Sequence, residues 1–489
     1  MSDSSSDAIT RLMWFRNDLR LHDNEALLTA AEGAHALLPV YVFDSRAFGK
    51  TASGFPKYGP YRSRFLLESL EDLRQQLQAR GSDLIILQGK PEELIPELCN
   101  KHGISLISYH EEATDEELQA EQAVDDAVDA MDVEVASCWG ASLYHLDDLP
   151  VDPDDMPDVF TPFRKKLEKM SQVRPALPAP EKLPPLPEGA QEQSEPLPSA
   201  DFFGVAPAEA SEKSVLPFKG GEREGMRRLE RYFWEGDHLR EYKKTRNGML
   251  GANYSSKFSA WLANGSLSPR YIYEEVKRYE SERKKNQSTY WLVFELIWRD
   301  FFRFIFLKHG NRLFQEKGIK GQAYEWSYNK DAFRRWANAE TGIPMIDANM
   351  RELNETGFMS NRGRQNVASF LTKNLNIDWR WGAEYFESLL VDYDVCSNWG
   401  NWAYNSGVGN DPRDRFFNIV GQGKRYDAAG DYVRHWLPEL SDVPAEHVHT
   451  PHQLSDSEQS RYGVQIGHDY PAPMIDLEAS YEAIKKRGA

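Results

Sequence analysis

"TRLMWFRN", residues 10–17, is a run of apolar residues closed by a cation and an amide. Four comparable runs follow: "HALLPVYVFD" at 35–44, "DLIILQG" at 83–89, "ISLISYHE" at 104–111 and "VEVASCWG" at 133–140. Each is too short for a buried helix and none keeps a strict apolar–polar alternation, so each reads as a strand covered on both faces. Helical patterns separate them: one from Asn24, one near Tyr61 to Arg80, "PEELIPELCNKH" at 91–102 and one from Thr114. Strand and helix in strict turn predict a doubly wound α/β domain with a five-stranded parallel sheet. Ligands of such sheets bind beyond the carboxyl ends of the strands. Those ends hold Arg16, Asn17, Asp44, Gln88, the turn from Tyr109 to Glu112, and Trp139. No G-x-G-x-x-G follows a strand, which argues against a dinucleotide in this half.

Outward from this domain, residues 173–217 are rich in proline, as in "RPALPAPEKLPPLPEGAQEQSEPLP", and lack periodicity. They read as a linker wrapped over the surface. Beyond them helical patterns dominate, among them "EGMRRLERYFW", "TYWLVFELIWRDFFRFIFLKHG" and "NVASFLTKNL". The expected organisation is an α/β domain over 1–140, a linker over 141–217 and an all-α domain over 218–489. A chain of 489 residues, 40% of them hydrophobic, is long enough for two cores. Its three cysteines, Cys99, Cys138 and Cys396, are too few and too scattered for a disulfide framework or a zinc site. No run of about 18 apolar residues occurs, and the start "MSDSSSDAITRLMWF" has no basic, apolar leader. These features predict a cytoplasmic monomer with no membrane partner and no metal. The net charge of −18 excludes indiscriminate nucleic-acid binding, but base gathers late, in "HLREYKKTRNGM", "KRYESERKK" and "SNRGRQN". A DNA-binding face in the second half is compatible with that asymmetry.

In "FELIWRDFFRF", Glu295, Trp298, Arg299 and Phe302 share one face of an otherwise apolar helix. An i, i+4 ion pair between Glu295 and Arg299 is one account. Desolvating two charges costs several kcal/mol per ion, so a ligand facing them is the other. "YSSKFSAWLANGSLSPR" places Ser255, Ser256, Ser259 and Lys257 where a helical pattern begins, which suits an anion or an ordinary N-cap. "SNRGRQN" adds Asn361, Arg362 and Arg364 before another helix. "DVCSNWGNWAYNSGVGND", 394–411, follows neither period and reads as loop and helix start. Its amides beside large rings suit a flat, polar-edged ligand or an aromatic turn over a core.

Taken in order, "RNGM…YSSKFSAWLANGSLSPR…FELIWRDFFRF…TGIPMIDANMRELNETGFMSNRGRQNVASF…IDWRWGAEYF…DYDVCSNWGNWAY" resembles the photolyase and cryptochrome family, and "WFRNDLRLHDNEAL" resembles its start. The resemblance runs from Arg11 to Leu440. Gln365, Tyr404 and "RYDAAGDYVRHWLPEL" are similar to the DASH cryptochrome branch.

The resemblance implies FAD in the helical domain. Asn398 then faces flavin N5, Asp392 and Asp394 lie at the ring edge and ribityl region, and Arg364 pairs with Asp392. Tyr242, Ser255, Ser256, Lys257, Phe258 and Ser259 form the adenine-side and phosphate cradle, and Arg299 also contacts the flavin. Trp402, Trp379 and Trp326 form an electron relay, from the flavin outward. Cyclobutane pyrimidine dimers are the implied substrate. Glu295 hydrogen-bonds their carbonyls, Trp298 packs against them, and Arg246, Asn361 and Arg362 contact the dimer or its flanking phosphates. Tyr404 and Gln365 stand where duplex-active relatives carry Trp and Met, which implies single-stranded DNA, from which a dimer is extruded at least cost. An antenna, 5,10-methenyltetrahydrofolate, is implied near Glu112, with Glu111 adjacent. The competing reading is a photoreceptor that signals through flavin redox state without significant repair.

Overall fold

A computed structural model describes residues 9–209, 211–413 and 415–487. The five apolar runs form β1 (Thr10–Phe15), β2 (Ala36–Phe43), β3 (Ile85–Gln88), β4 (Ile104–His110) and β5 (Glu134–Cys138), all parallel in the order β3-β2-β1-β4-β5. Alternate residues of β1 serve opposite cores, Met13 and Phe15 on one face and Leu12 and Trp14 on the other. Helices α1 (Glu25–Ala31), α2 (Pro60–Gln78), α3 (Pro91–His102) and α4 (Asp115–Val128) supply the covering layers. Their starts follow local chemistry. Asn24 caps α1 by accepting from Leu27 N, α2 and α3 begin on proline, and α4 opens with Asp115, Glu116 and Glu117.

The segment from 141 to 217 divides between the two cores. Helix α5 (Phe160–Met170) buries Phe160, Phe163 and Leu167 in the helical domain. The proline-rich part returns to the α/β domain, where Leu183 and Phe203 are buried. Two of its N–H groups are spent there: Leu183 N donates to Arg80 O at 2.9 Å and Glu195 N to Ile86 O at 2.8 Å.

The helical domain contains α6 (Glu222–Glu230), α7 (Tyr242–Thr245), α8 (Ser259–Ala263), α9 (Pro269–Glu282), α10 (Gln287–His309), α11 (Lys330–Ala337), α12 (Pro344–Thr356), α13 (Asn361–Ser369), α14 (Trp379–Leu389) and α15 (Val395–Ser406), with shorter helices beyond. Helix α10 starts at a capping box of Asn286 and Thr289 and is buried along most of its length. From it Asp300 accepts the N–H groups of Leu143 and Tyr144, each at 2.9 Å. Glu222 accepts from Leu21 N at 2.9 Å and His22 N at 3.1 Å across the domain boundary. Buried carboxylates thus join the domains through backbone donors that would otherwise be unsatisfied. Among the described residues no helix is long and apolar enough to cross a membrane.

Candidate functional site

Arg228, on α6, organises the loop before α8. Its guanidinium donates to Ala252 O at 3.0 Å, Asn253 Oδ1 at 2.9 Å, Ser255 O at 3.1 Å and Ser256 O at 2.9 Å. With the carbonyls turned inward, the N–H groups of Ser255, Ser256, Lys257 and Phe258 donate no hydrogen bond among the described residues. Lys257 is left-handed (φ 55°) and Phe258 right-handed (φ −75°), a succession that gathers N–H groups into an anion nest. Lys257 Nζ is buried with no hydrogen-bond partner, 3.5 Å from the centre of the Tyr254 ring. Burial lowers its pKa to about 7, against the opposing pull of Glu352. Glu352 is itself pushed up to about 7 by burial and accepts from Tyr432 Oη at 2.7 Å. Tyr254 Oη and Asn366 Oδ1 are two further buried polar atoms without a partner. The unmet donors among these, the Lys257 ammonium and the loop N–H groups, are costly unless a ligand takes them, and their sign asks for an anion.

The passage 394–411 is more helical than its sequence indicates, because α15 runs from Val395 to Ser406. Its period is hidden because it packs against both α10 and α14 and buries polar residues as well as rings. Gly400 lies against the Phe302 ring and Gly382 against the Trp402 ring, so closely that a Cβ on either would overlap it. Asn398 donates to Ala383 O at 3.0 Å, which leaves its Oδ1 without a hydrogen bond among the described residues. Arg364 Nη2 holds both oxygens of Asp392, at 2.9 and 2.8 Å.

Glu295 and Arg299 do not pair with each other. Arg246 Nη1 lies 2.7 Å from Glu295 Oε1 as an ion pair, off the axis of a hydrogen bond, so this buried oxygen keeps unmet accepting capacity. Burial raises the Glu295 pKa and Arg246 pulls it back. Arg299 donates to Ala141 O and to Leu262 O, the latter at 3.0 Å, so protein carbonyls satisfy its burial. Trp298 stacks on Phe160 at 3.6 Å and 6°, and meets Tyr404 edge to face at 5.8 Å. Tyr242 is buried near Glu295, which with burial raises its pKa. Around this pocket Lys243 lies 4.3 Å and Arg246 5.6 Å from the Trp291 ring centre, and Arg362 donates to Asn247 Oδ1 at 3.0 Å. Asn361 is exposed and Gln365 half-buried at the start of α13.

Residues 11–184 match the family described as DNA photolyase, and residues 291–488 match the FAD binding domain of DNA photolyase. A cryptochrome DASH of Gloeobacter violaceus is 54% identical over 97% of this chain and 94% of its own. This chain belongs to the photolyase and cryptochrome family, in its DASH branch. The crystal structure of a Synechocystis cryptochrome superposes with a TM-score of 0.94, at 51% identity over 98% of each chain. An archaeal photolyase from Sulfolobus tokodaii, described as holding two FAD molecules, superposes at 0.78, with 27% identity over 98% of this chain and 99% of its own.

FAD is the cofactor of this family, and the unmet donors around Lys257 fit its diphosphate. The three tryptophans lie on or beside α14 and α15. Trp402 lies against Gly382, one turn along α14 from Trp379, and the bridge between Ser327 and Ile377 brings Trp326 beside α14. Trp379 is fully buried, its Nε1 donating to Glu316 O at 3.1 Å, and Trp326 stacks on Tyr324 at 5.1 Å.

Between the domains, at the carboxyl ends of the strands, lies a cavity of about 800 Å³. Glu112 lines it, whereas Glu111 turns outward and accepts from Ser137. Glu112 Oε1 accepts from Asn17 at 2.9 Å, and Oε2 lies 3.5 Å from Arg303 Nη1. Arg303 Nη2 in turn donates to Asp394 at 2.8 Å, with Arg299 3.7 Å from the same carboxylate. Burial pushes the Asp394 pKa up, but Arg303 and Arg299 together hold it at about 2. Asp394 and Arg299 therefore line the interdomain cavity, and Asp394 also caps α15 through Ser397 N at 2.7 Å. Sequence reasoning missed Arg303, although it repeats the i, i+4 step of Glu295 and Arg299. It also missed Arg228, for which no local signal exists, because the loop it gathers lies 24–28 residues away.

Proposed function

We propose that this protein repairs cyclobutane pyrimidine dimers in single-stranded DNA under blue light. The observation that carries this reading is the half-buried Glu295 carboxyl, paired with Arg246 and one turn from Trp298, with Tyr404 against that indole. Bound FAD supplies the photoexcited electron donor for this chemistry. The loop held by Arg228, with Lys257, binds the diphosphate, and Asn398 presents an amide oxygen fixed by Ala383. Glu295, its pKa raised by burial, keeps its proton to higher pH than an ordinary carboxyl and can donate it to a dimer carbonyl as negative charge develops there. Trp298, backed by Phe160, offers a flat apolar wall. Lys243, Arg246 and Arg362 form a cationic rim for phosphates, which explains DNA affinity in a chain of net charge −18. Extrusion from a duplex costs a few kcal/mol more than from a single strand, and Tyr404 offers less stacking surface than an indole to repay it.

The cavity at Glu112 is the proposed antenna site, for 5,10-methenyltetrahydrofolate. Tyr41, Phe48 and Tyr58 offer flat contact and Lys57 and Arg46 offer charge for its carboxylates. The decisive experiment illuminates the FAD-loaded protein with dimer-containing oligonucleotides, single-stranded and duplex, and follows dimer loss. No loss from single strands sinks the repair reading. Release of a second flavin instead of a folate on denaturation sinks the antenna assignment.

A further inference from the structure

The relay reading leads out of Trp379 toward Trp326. A second exit is Trp399, met edge to face with centroids 5.6 Å apart and planes at 80°. Trp399 Nε1 donates to Tyr393 Oη at 3.2 Å, and both residues line the interdomain cavity. Trp399 shares α15 with Trp402 but packs on Phe314 and Trp379, whereas Trp402 packs on Phe386 and Trp336. Trp399 thus reaches Trp379 by a ring contact that does not involve Trp402.

We propose that Trp399 and Tyr393 form a second branch of the electron relay, which delivers oxidising equivalents from Trp379 to the cavity wall and leaves them on Tyr393 as its phenolic proton passes to Glu387. The branch rests on the reading of Trp402 and Trp379 as relay residues. Its oxidant is the photoexcited oxidised flavin, acting through Trp402. An electron moves from Trp399 to the Trp379 radical cation, and another from Tyr393 to the Trp399 radical cation. The phenolic O–H bond breaks and its proton forms a bond to the Glu387 carboxylate. The net products are intact Trp379 and Trp399, a neutral tyrosyl radical and one protonated carboxyl group.

The hydrogen-bond direction supports this order. Because the indole N–H occupies a lone pair of Tyr393 Oη, the phenol's own proton is directed elsewhere. Glu387 lines the same cavity as Tyr393, and its charge acts on the phenol more strongly than that of Glu117. Burial raises the Glu387 pKa, which makes it a better base than an exposed carboxylate. Arg62 stacks its guanidinium 4.3 Å from the centre of the Tyr393 ring and 3.8 Å from that of Tyr58. A cation there disfavours a second positive charge on the ring, so electron loss from Tyr393 requires the proton to leave as well.

The test is electron paramagnetic resonance of the FAD-loaded protein, frozen after a light pulse and carrying ring-deuterated tyrosine. The branch predicts a neutral tyrosyl signal that is lost in Tyr393→Phe, strongly reduced in Glu387→Gln and retained in Trp326→Phe. Trp379→Phe should abolish both tyrosyl and outer tryptophan signals. If Trp402→Phe and Trp379→Phe leave flavin photoreduction unchanged, the relay reading itself fails. If they abolish photoreduction while the parent shows no tyrosyl signal, or shows one that survives in Tyr393→Phe, the relay stands and the branch is refuted. A signal lost in Trp326→Phe assigns the tyrosine to the other exit and refutes it equally. Tyr393→Phe keeps the ring between Arg62 and its neighbours, and retained FAD absorbance shows that the variant has folded.

Discussion

Replacing Lys257 with Met separates a ligand-binding cation from a structural one. The ammonium is buried without a hydrogen bond, and its pKa falls from 10.5 to about 7. At 1.36 kcal/mol per unit, holding the charge in the cradle without FAD costs roughly 4–5 kcal/mol. Met fills similar space without the charge. The FAD-free protein should therefore be as stable at pH 7 as the parent, or more stable by roughly 1–4 kcal/mol. FAD should bind more weakly, by the roughly 1.5–3 kcal/mol of a charge-assisted hydrogen bond to phosphate, about 10- to 150-fold. The pH dependence fixes the sign. Between about pH 7 and 10.5 the unfolded chain holds a proton on Lys257 that the FAD-free native state lacks, so unfolding free energy rises with pH across that window. FAD affinity runs the other way, falling above about pH 7 as the cradle loses its cation. Fluorescence titration of FAD into flavin-free protein and chemical denaturation across this window measure both slopes. Glu352→Gln, which removes the neighbouring carboxyl that burial also pushes up to about 7, should retain them. If Lys257→Met binds FAD as tightly as the parent, or if its flavin-free form is the less stable at pH 7, the reasoning is wrong.

Trp402→Phe should slow or abolish photoreduction of oxidised FAD while chemically reduced protein still repairs, and normal photoreduction kinetics would remove Trp402 from the relay. Glu295→Ala should bind FAD and photoreduce normally, with a lower repair yield per absorbed photon on single strands. An unchanged yield with fully reduced flavin would exclude its role. Arg246→Ala and Arg362→Ala should each reduce the slope of log K against log salt by about 0.7 for single-stranded DNA. Arg246→Ala should weaken binding further at any one salt concentration, because Glu295 loses its cation and faces the phosphates. Gly382→Ala should destabilise the protein by roughly 1–3 kcal/mol in denaturant and retard photoreduction, because the added methyl overlaps Trp402.

The α/β half was legible because each strand carries its own signal. Its apolar runs and the Asn24, Pro91 and Thr114 helix starts are local, whereas the order β3-β2-β1-β4-β5 is set by packing between strands distant in sequence. The helical half was legible as helices but not as contacts. Glu295 faces Arg246 rather than its i+4 neighbour because α7 packs across α10, which no periodicity encodes. Asp394 and Arg299 are paired in ways that no spacing announces, because their partners come from the 141 region, from α8 and from Arg303, the residue missed on α10. Side-chain identity was readable; which neighbour claims each oxygen was not.

The proline-rich segment has a consequence for how the chain is made. Strand β3 lies at one edge of the sheet, and that edge is closed by Glu195 N donating to Ile86 O at 2.8 Å and Ser194 Oγ accepting from Ile86 N at 3.1 Å. The strip that closes it emerges only after α5, which belongs to the other core. During synthesis the nascent sheet therefore waits with an unpaired edge until residue 195 has left the ribosome, with a part of the second domain already made. An edge in that condition invites pairing with another chain, and proline, which cannot extend a ladder, lets the strip cap the edge without becoming a new one. Ribosome-bound chains that end before residue 195 should need chaperones that chains long enough for residue 205 to have left the ribosome no longer hold.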